Sequence, residues 1–113
     1  MNKNITLFFL ISVGLLLIVT RVIAQVSDYE KANLAFNRGD YKTSYNLIRP
    51  LAKKGFAQAQ YSLGIMYEKG KGVDLNLKKA KKWFQLAAQQ GISKAQYKLG
   101  LIYRNGQGGE KNY

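Results

Sequence analysis

The chain has no histidine and no cysteine among its 113 residues, a single proline, and six acidic side chains against eighteen basic ones. Each shortage excludes something. Without His or Cys, the commonest general base, the commonest thiol nucleophile and the best ligands for transition metals are missing. Without Cys no disulfide can staple the chain, so stability must come from packing alone. The acids Asp28, Glu30, Asp40, Glu68, Asp74 and Glu110 are scattered, with no two at a common helix-face spacing, and none of the five serines has a setting that suggests a nucleophile. The base, nucleophile and orienting group that catalysis requires are therefore not assembled. We expect no enzyme, no cofactor and no metal site. No segment shows the strict alternation of a half-buried strand, which leaves an all-α fold.

What the chain does contain begins with one long apolar run. After "MNKN" comes "ITLFFLISVGLLLIVT", sixteen residues without a charge, and then Arg21 and "VIAQ". A basic start, an apolar stretch and the small residues Val22 and Ala24 fit a secretory signal peptide over residues 1–24, cut after Ala24. The run is shorter than the roughly 20 residues that comfortably span a bilayer, and an uncleaved inner-membrane anchor is the alternative. A buried core helix does not fit, because the run is apolar on every face. The expected location is periplasmic or secreted. Loss of Lys3 and Arg21 with the signal lowers the net charge from +12 to +10, which still attracts anionic partners such as cell-wall polymers, acidic lipids or acidic proteins. Export makes nucleic acid a poor partner, and the organised aromatic platform that single strands require is missing.

The second feature is a repeat. "AQYSLGIMYEKGKG" at residues 59–72 returns thirty-six residues later as "AQYKLGLIYRNGQG", with eight of fourteen positions identical. A period in the range of about 20–50 residues indicates stacked supersecondary units. "SDYEKANLAFNRGD" carries Ser27 and Glu30 at capping-box spacing and a stop at Gly39. Asp40 is placed to cap a helix that puts Tyr41, Ser44, Tyr45, Ile48 and Ala52 on one face and stops at Gly55, with Pro50 expected to kink it. Ala59, Leu63, Gly64 and Tyr67 share a face of the next helix, which ends at Gly70. Asn76 then caps "LKKAKKWFQLAAQQ", closed by Gly91. Glycine inside a helix costs about 1 kcal/mol relative to Ala. Gly64 and Gly100 are therefore expected to mark close approach of a neighbouring helix, matched by Ala80, Ala87 and Ala88.

With Asn76, Lys79-Ala80, Trp83-Phe84 and "AAQQG" added to the repeated phrase, the chain resembles the Sel-one-like repeat (SLR) family, a branch of the tetratricopeptide-type helical solenoids. The resemblance implies antiparallel helical hairpins stacked as a short α-solenoid: a hairpin closer to an ordinary tetratricopeptide unit at 25–55, a complete repeat at 56–91, and the first half of another at 92–113. Phe56 and Ile92 stand where a polar cap is more usual, so those helix starts are expected to fray. Aligned by the repeat, Tyr113 falls opposite Leu77, so the last hairpin is expected to lack its second helix, fray and self-associate.

Members of such a family bind proteins, and the resemblance implies that the first helix of each hairpin lines a concave groove. Carried onto this chain, the groove is Gln58, Tyr61, Ile65 and Glu68, then Lys94, Tyr97, Leu101 and Arg104. Rigid aromatic anchors suit a partner protein or peptide, although Tyr61 and Tyr97 equally suit packing within the repeat. A second surface is the basic patch Lys78, Lys79, Lys81 and Lys82. Such a charge run is ordinarily a solvated face; its functional alternative is contact with anionic cell-wall or membrane polymers. The glycines of "GKGV" and "GQGG" follow helices rather than strands and serve as stops and turns, not as a phosphate cradle.

Overall fold

The computed structural model describes residues 2–106, and among them it forms five α-helices and no strand. They are α1 (Lys3–Asn37), α2 (Tyr41–Lys53), α3 (Ala57–Lys69), α4 (Leu77–Gln89) and α5 (Ser93–Asn105). Consecutive helices pack against one another in chain order, as in a solenoid. The all-α architecture therefore stands as expected; residues 107–113, where the last hairpin would continue, lie outside the described residues.

The first helix departs from expectation at its start. Ser27 caps nothing: α1 begins at the cap Asn2, whose side chain accepts from Asn4 N at 3.1 Å, and runs 35 residues without a break. The reason is local. Between Lys3 and Asn37 there is no proline and the only glycine is Gly14, so nothing stops the intrahelical ladder at residue 24 or 27. The apolar part projects, which gives the molecule extents of 66 × 36 × 17 Å. Only the second part of α1 packs on the solenoid, through buried Ala32 and Ala35.

The remaining boundaries are set by caps. Asp40 accepts from Thr43 N at 3.3 Å and Asn76 from Lys79 N at 3.0 Å, so both expected N-caps form, thirty-six residues apart. α2 also continues across Pro50; Asn46, whose carbonyl the proline leaves unbonded, is exposed to solvent. At the C-termini of α1, α2 and α4 the same closure appears three times. Gly39 N donates to Phe36 O and Asp40 N to Ala35 O; Gly55 N to Ala52 O and Phe56 N to Leu51 O; Gly91 N to Ala88 O and Ile92 N to Ala87 O, all at 2.9–3.2 Å. This pattern needs a left-handed glycine, and Gly39, Gly55 and Gly91 have φ of 83°, 96° and 91°.

The closure also explains the apolar helix starts. Phe56 and Ile92 make no side-chain cap bond, as their chemistry requires. Each is instead the last residue of the preceding closure, a position that favours a hydrophobic contact, and each packs half-buried against the core. Phe56 meets Tyr29 edge-on with ring centroids 5.3 Å apart. Side-chain amides hold these turns further: Gln60 donates to Ala52 O, Gln96 to Ala88 O, and Gln90 to both Gly55 O and Gln60 Oε1.

The core runs along the inner faces of α2, α3 and α4, with Ile48, Leu63, Met66 and Phe84 its largest fully buried side chains next to Ile102 of α5. Gly64 behaves as expected. A Cβ placed there would stand 2.6 Å from two carbons of the Phe84 ring. Gly100 does not: among the described residues nothing lies within 4 Å of its virtual Cβ, and the residue is exposed. Close approach thus explains the first helix glycine and not the second, because no described helix crosses α5 where α4 crosses α3. Gly72, at φ +75°, lets the loop after α3 lie against the Tyr41 carbonyl at the start of α2. That contact ties the second hairpin to the first.

Candidate functional site

The first helices of the hairpins, α1, α3 and α5, present one side of the solenoid. The groove residues expected on it are only partly brought together. Tyr61 and Ile65 of α3 are half-buried and line a cleft of about 280 Å³, whose other walls come from Asn33 and Phe36 of α1 and whose floor is Ser44 and Ile48 of α2 with Met66. Lys69 stands at its rim. Asn33 and Phe36 were not expected in the groove. The hairpin holding them departs from the repeat by a loop five residues shorter, which hides the correspondence, although their three-residue spacing places them together on α1.

The rest of the groove is more open. Glu68 is paired, with Lys98 Nζ 2.7 Å from its Oε1 across the gap between α3 and α5. Its carboxylate therefore links two helices and offers little to a ligand. Leu101 is half-buried, whereas Gln58, Lys94 and Arg104 are exposed. Tyr97 is 68% exposed. Its counterpart Tyr61 leans on the Phe84 ring at 5.8 Å; among the described residues Tyr97 has no such ring to lean on. The two tyrosines therefore differ in setting: Tyr61 packs on Phe84 and lines the cleft, while Tyr97 is exposed among the described residues.

The four lysines of α4 share the face opposite Ala80 but differ in their surroundings. Ala80 faces the core, so Lys79 and Lys81 fall on its two flanks and Lys78 and Lys82 on the far side. Lys79 Nζ lies 5.5 Å from the Tyr67 ring centre and Lys81 Nζ 4.7 Å from that of Tyr103, so both ammonium groups are spent partly on the chain's own aromatic faces. Lys78 and Lys82 are exposed with no aromatic contact among the described residues. Beneath Lys79 the hydroxyls of Tyr45 and Tyr67 are 3.3 Å apart. Burial, reinforced by that hydrogen bond, holds the Tyr45 phenol above its ordinary value. Among the described residues no three His, Cys, Asp or Glu side chains gather where they could hold a metal ion.

The Sel1 repeat family model matches residues 57–92 and again 93–113, about half of the chain. This chain belongs to the Sel1 repeat family. The two matched segments are the α3–α4 hairpin and the α5 segment, the same thirty-six-residue unit seen in the sequence. Two solved structures share the fold. A Sel1 repeat protein from Oxalobacter formigenes is 40% identical with a TM-score of 0.62, covering 64% of this chain and 30% of that one. A protective antigen of uropathogenic Escherichia coli with an SLR fold is 33% identical with a TM-score of 0.73, covering 79% of this chain and 20% of that one. In sequence, 57 residues are 41% identical to a chitin synthase regulator of Saccharomyces cerevisiae, half of this chain but 8% of the regulator. The chain thus spans less than a third of each of these relatives. Sel1 repeat proteins are generally interaction modules that bind protein partners, and generally non-catalytic scaffolds.

Proposed function

We propose that this Sel1 repeat is an exported adaptor that holds a protein or peptide partner along the concave side formed by α1, α3 and α5. The observation that carries this is the exposure of Tyr97 on that side among the described residues, with Tyr61 and Ile65 half-buried beside a cleft. Exposed aromatics over a rigid scaffold are the usual anchors of binding energy. The competing use, contact of the α4 lysines with anionic cell-wall or membrane polymers, has support only from Lys78 and Lys82, since Lys79 and Lys81 lie over tyrosine rings.

One comparison separates the two, made on the partner recovered from the envelope fraction of the source cells. Tyr97→Ala, at an exposed site that leaves the core untouched, is expected to weaken binding by about tenfold or more, the loss typical of a central aromatic. Lys78→Gln with Lys82→Gln is expected to leave affinity within a factor of about three, since exposed charges contribute little at physiological salt. The opposite ranking assigns function to the lysines.

The export reading rests on α1, the one helix among the described residues long and apolar enough to cross a membrane, with none of its apolar window buried. We expect the mature chain to begin at Gln25, and intact-mass measurement of exported protein checks this. Recovery of the chain with Met1 in place, resistant to alkaline extraction from membranes, would make α1 an anchor and overturn cleavage.

A further inference from the structure

Ser27 and Glu30 have the spacing of a capping box, yet in the unbroken α1 they sit in mid-helix and cap nothing. Removal of residues 1–24 changes that. In a continuous α-helix the N–H groups of Gln25, Val26, Ser27 and Asp28 bond to the carbonyls of Arg21, Val22, Ile23 and Ala24, four residues back. A cut after Ala24 takes away all four acceptors, and the N–H groups become the orphan donors of a new helix start. Ser27 is the residue placed to answer them. Its side-chain oxygen can accept from Glu30 N, while the Glu30 side chain reaches back to Ser27 N. Only Gln25 and Val26 precede Ser27 after the cut, so it is free to leave the helical conformation, as an N-cap must.

Charge and packing single out the same point. The first turn of the long α1 holds no acid, and neither does that of α2, α3, α4 or α5. A helix starting at Ser27 would hold two of the chain's six acids there, Asp28 and Glu30. Carboxylates at that end stabilise the positive pole of the helix dipole, and they would also offset the new α-amino group at Gln25. Glu30 is available for this, being exposed and without an ion pair among the described residues, whereas Asp28 lies 3.7 Å from Lys31. The turn that follows is already held by the solenoid. The Tyr29 hydroxyl is 3.2 Å from Ser62 Oγ, its ring meets Phe56 edge-on, and Ala32 is fully buried. Arg21, Val22, Ile23 and Ala24, by contrast, are exposed, so their removal leaves the core intact. We propose that Ser27 and Glu30 are a dormant N-cap, idle in the precursor and engaged when cleavage after Ala24 makes Ser27 the start of α1. This switch rests on the cleavage reading above and gives the cut a structural consequence.

The test follows backbone amide exchange, residue by residue, in two forms of the protein. One is the exported chain as the cell delivers it. The other is the full precursor in detergent, retained by Ala24→Tyr, which replaces the small residue that cleavage requires. In the exported chain Ser27→Ala is expected to speed exchange of the Glu30, Lys31 and Ala32 amides about fivefold, the usual loss for one such cap. Ser27→Asp, which keeps a capping oxygen, is expected to restore the slow rates. In the precursor Ser27→Ala is expected to slow the same amides slightly or leave them unchanged, since Ala is the better residue in mid-helix. A change of the same sign in both forms would make Ser27 an ordinary packing residue and overturn the cap. An exported chain that begins at Gln25 and ignores Ser27→Ala would sink the cap alone. Recovery of the exported chain with Met1 in place would sink cleavage and the cap together.

Discussion

Phe84→Ala is expected to lower the stability of the solenoid by about 3–5 kcal/mol, the range for removing a buried aromatic ring. The side chain is 0% exposed and packs on α3 at two points, the backbone at Gly64 and the Tyr61 ring at 5.8 Å. Collapse into the vacated space is hindered because Gly64 has no side chain to advance into it. The cavity term should therefore stand near the upper end of that range. A small domain with no disulfide has total stability of about 5–15 kcal/mol, and short chains lie toward the bottom of it. Chemical denaturation followed by helical circular dichroism should find Phe84→Ala largely unfolded or close to it, whereas a loss under about 1 kcal/mol would mean that the ring does not hold the hairpin together. The consequence reaches function, because Tyr61 rests on that ring and would lose its fixed place beside the cleft.

The second large effect is a change of sign between two glycines that the sequence writes identically. Gly64→Ala should destabilise by about 1–3 kcal/mol, as overpacking does, since its Cβ would meet the Phe84 ring at 2.6 Å and that ring is enclosed. Gly100→Ala should stabilise by up to about 1 kcal/mol, the helix preference of Ala over Gly, because its Cβ would enter open space. Melting temperatures of the two variants should move in opposite directions. Coupling provides a further check: in a Phe84→Leu background the Gly64→Ala penalty should shrink, since contacting residues are not additive. Two losses of equal size would show that Gly100 also has a covered face in solution.

The local architecture of this Sel1 repeat was legible without coordinates. Asp40 and Asn76 cap the helices that their positions predict, Gly39, Gly55 and Gly91 end helices in the left-handed conformation that favours glycine, and the alternation of Ala59, Leu63 and Tyr67 names the buried face of α3. These are short-range matters, decided by hydrogen bonds and side chains within one or two turns, and sequence carries them directly. Ser27 is the exception that shows the limit. A good capping spacing ends nothing when the residues before it are equally willing to be helical, and α1 runs through.

The site was legible only in part. Gln58, Tyr61, Ile65, Glu68, Lys94, Tyr97, Leu101 and Arg104 are what the family resemblance implies for α3 and α5, yet a resemblance places residues on a face without saying what stands opposite. Glu68 closes onto Lys98, Lys79 and Lys81 onto tyrosine rings, and Asn33 with Phe36 joins Tyr61 around a cleft. Gly64 and Gly100 carry the same letter in the same phrase, and one is a packing seat while the other faces solvent. The amino-acid sequence by itself determined the helices, their ends and the period at which they stack, because those depend on neighbours along the chain. Which glycine receives a ring, which carboxylate is already taken and which tyrosine packs on a neighbouring ring were decided by the tertiary structure alone, because each depends on the atom that another helix brings close.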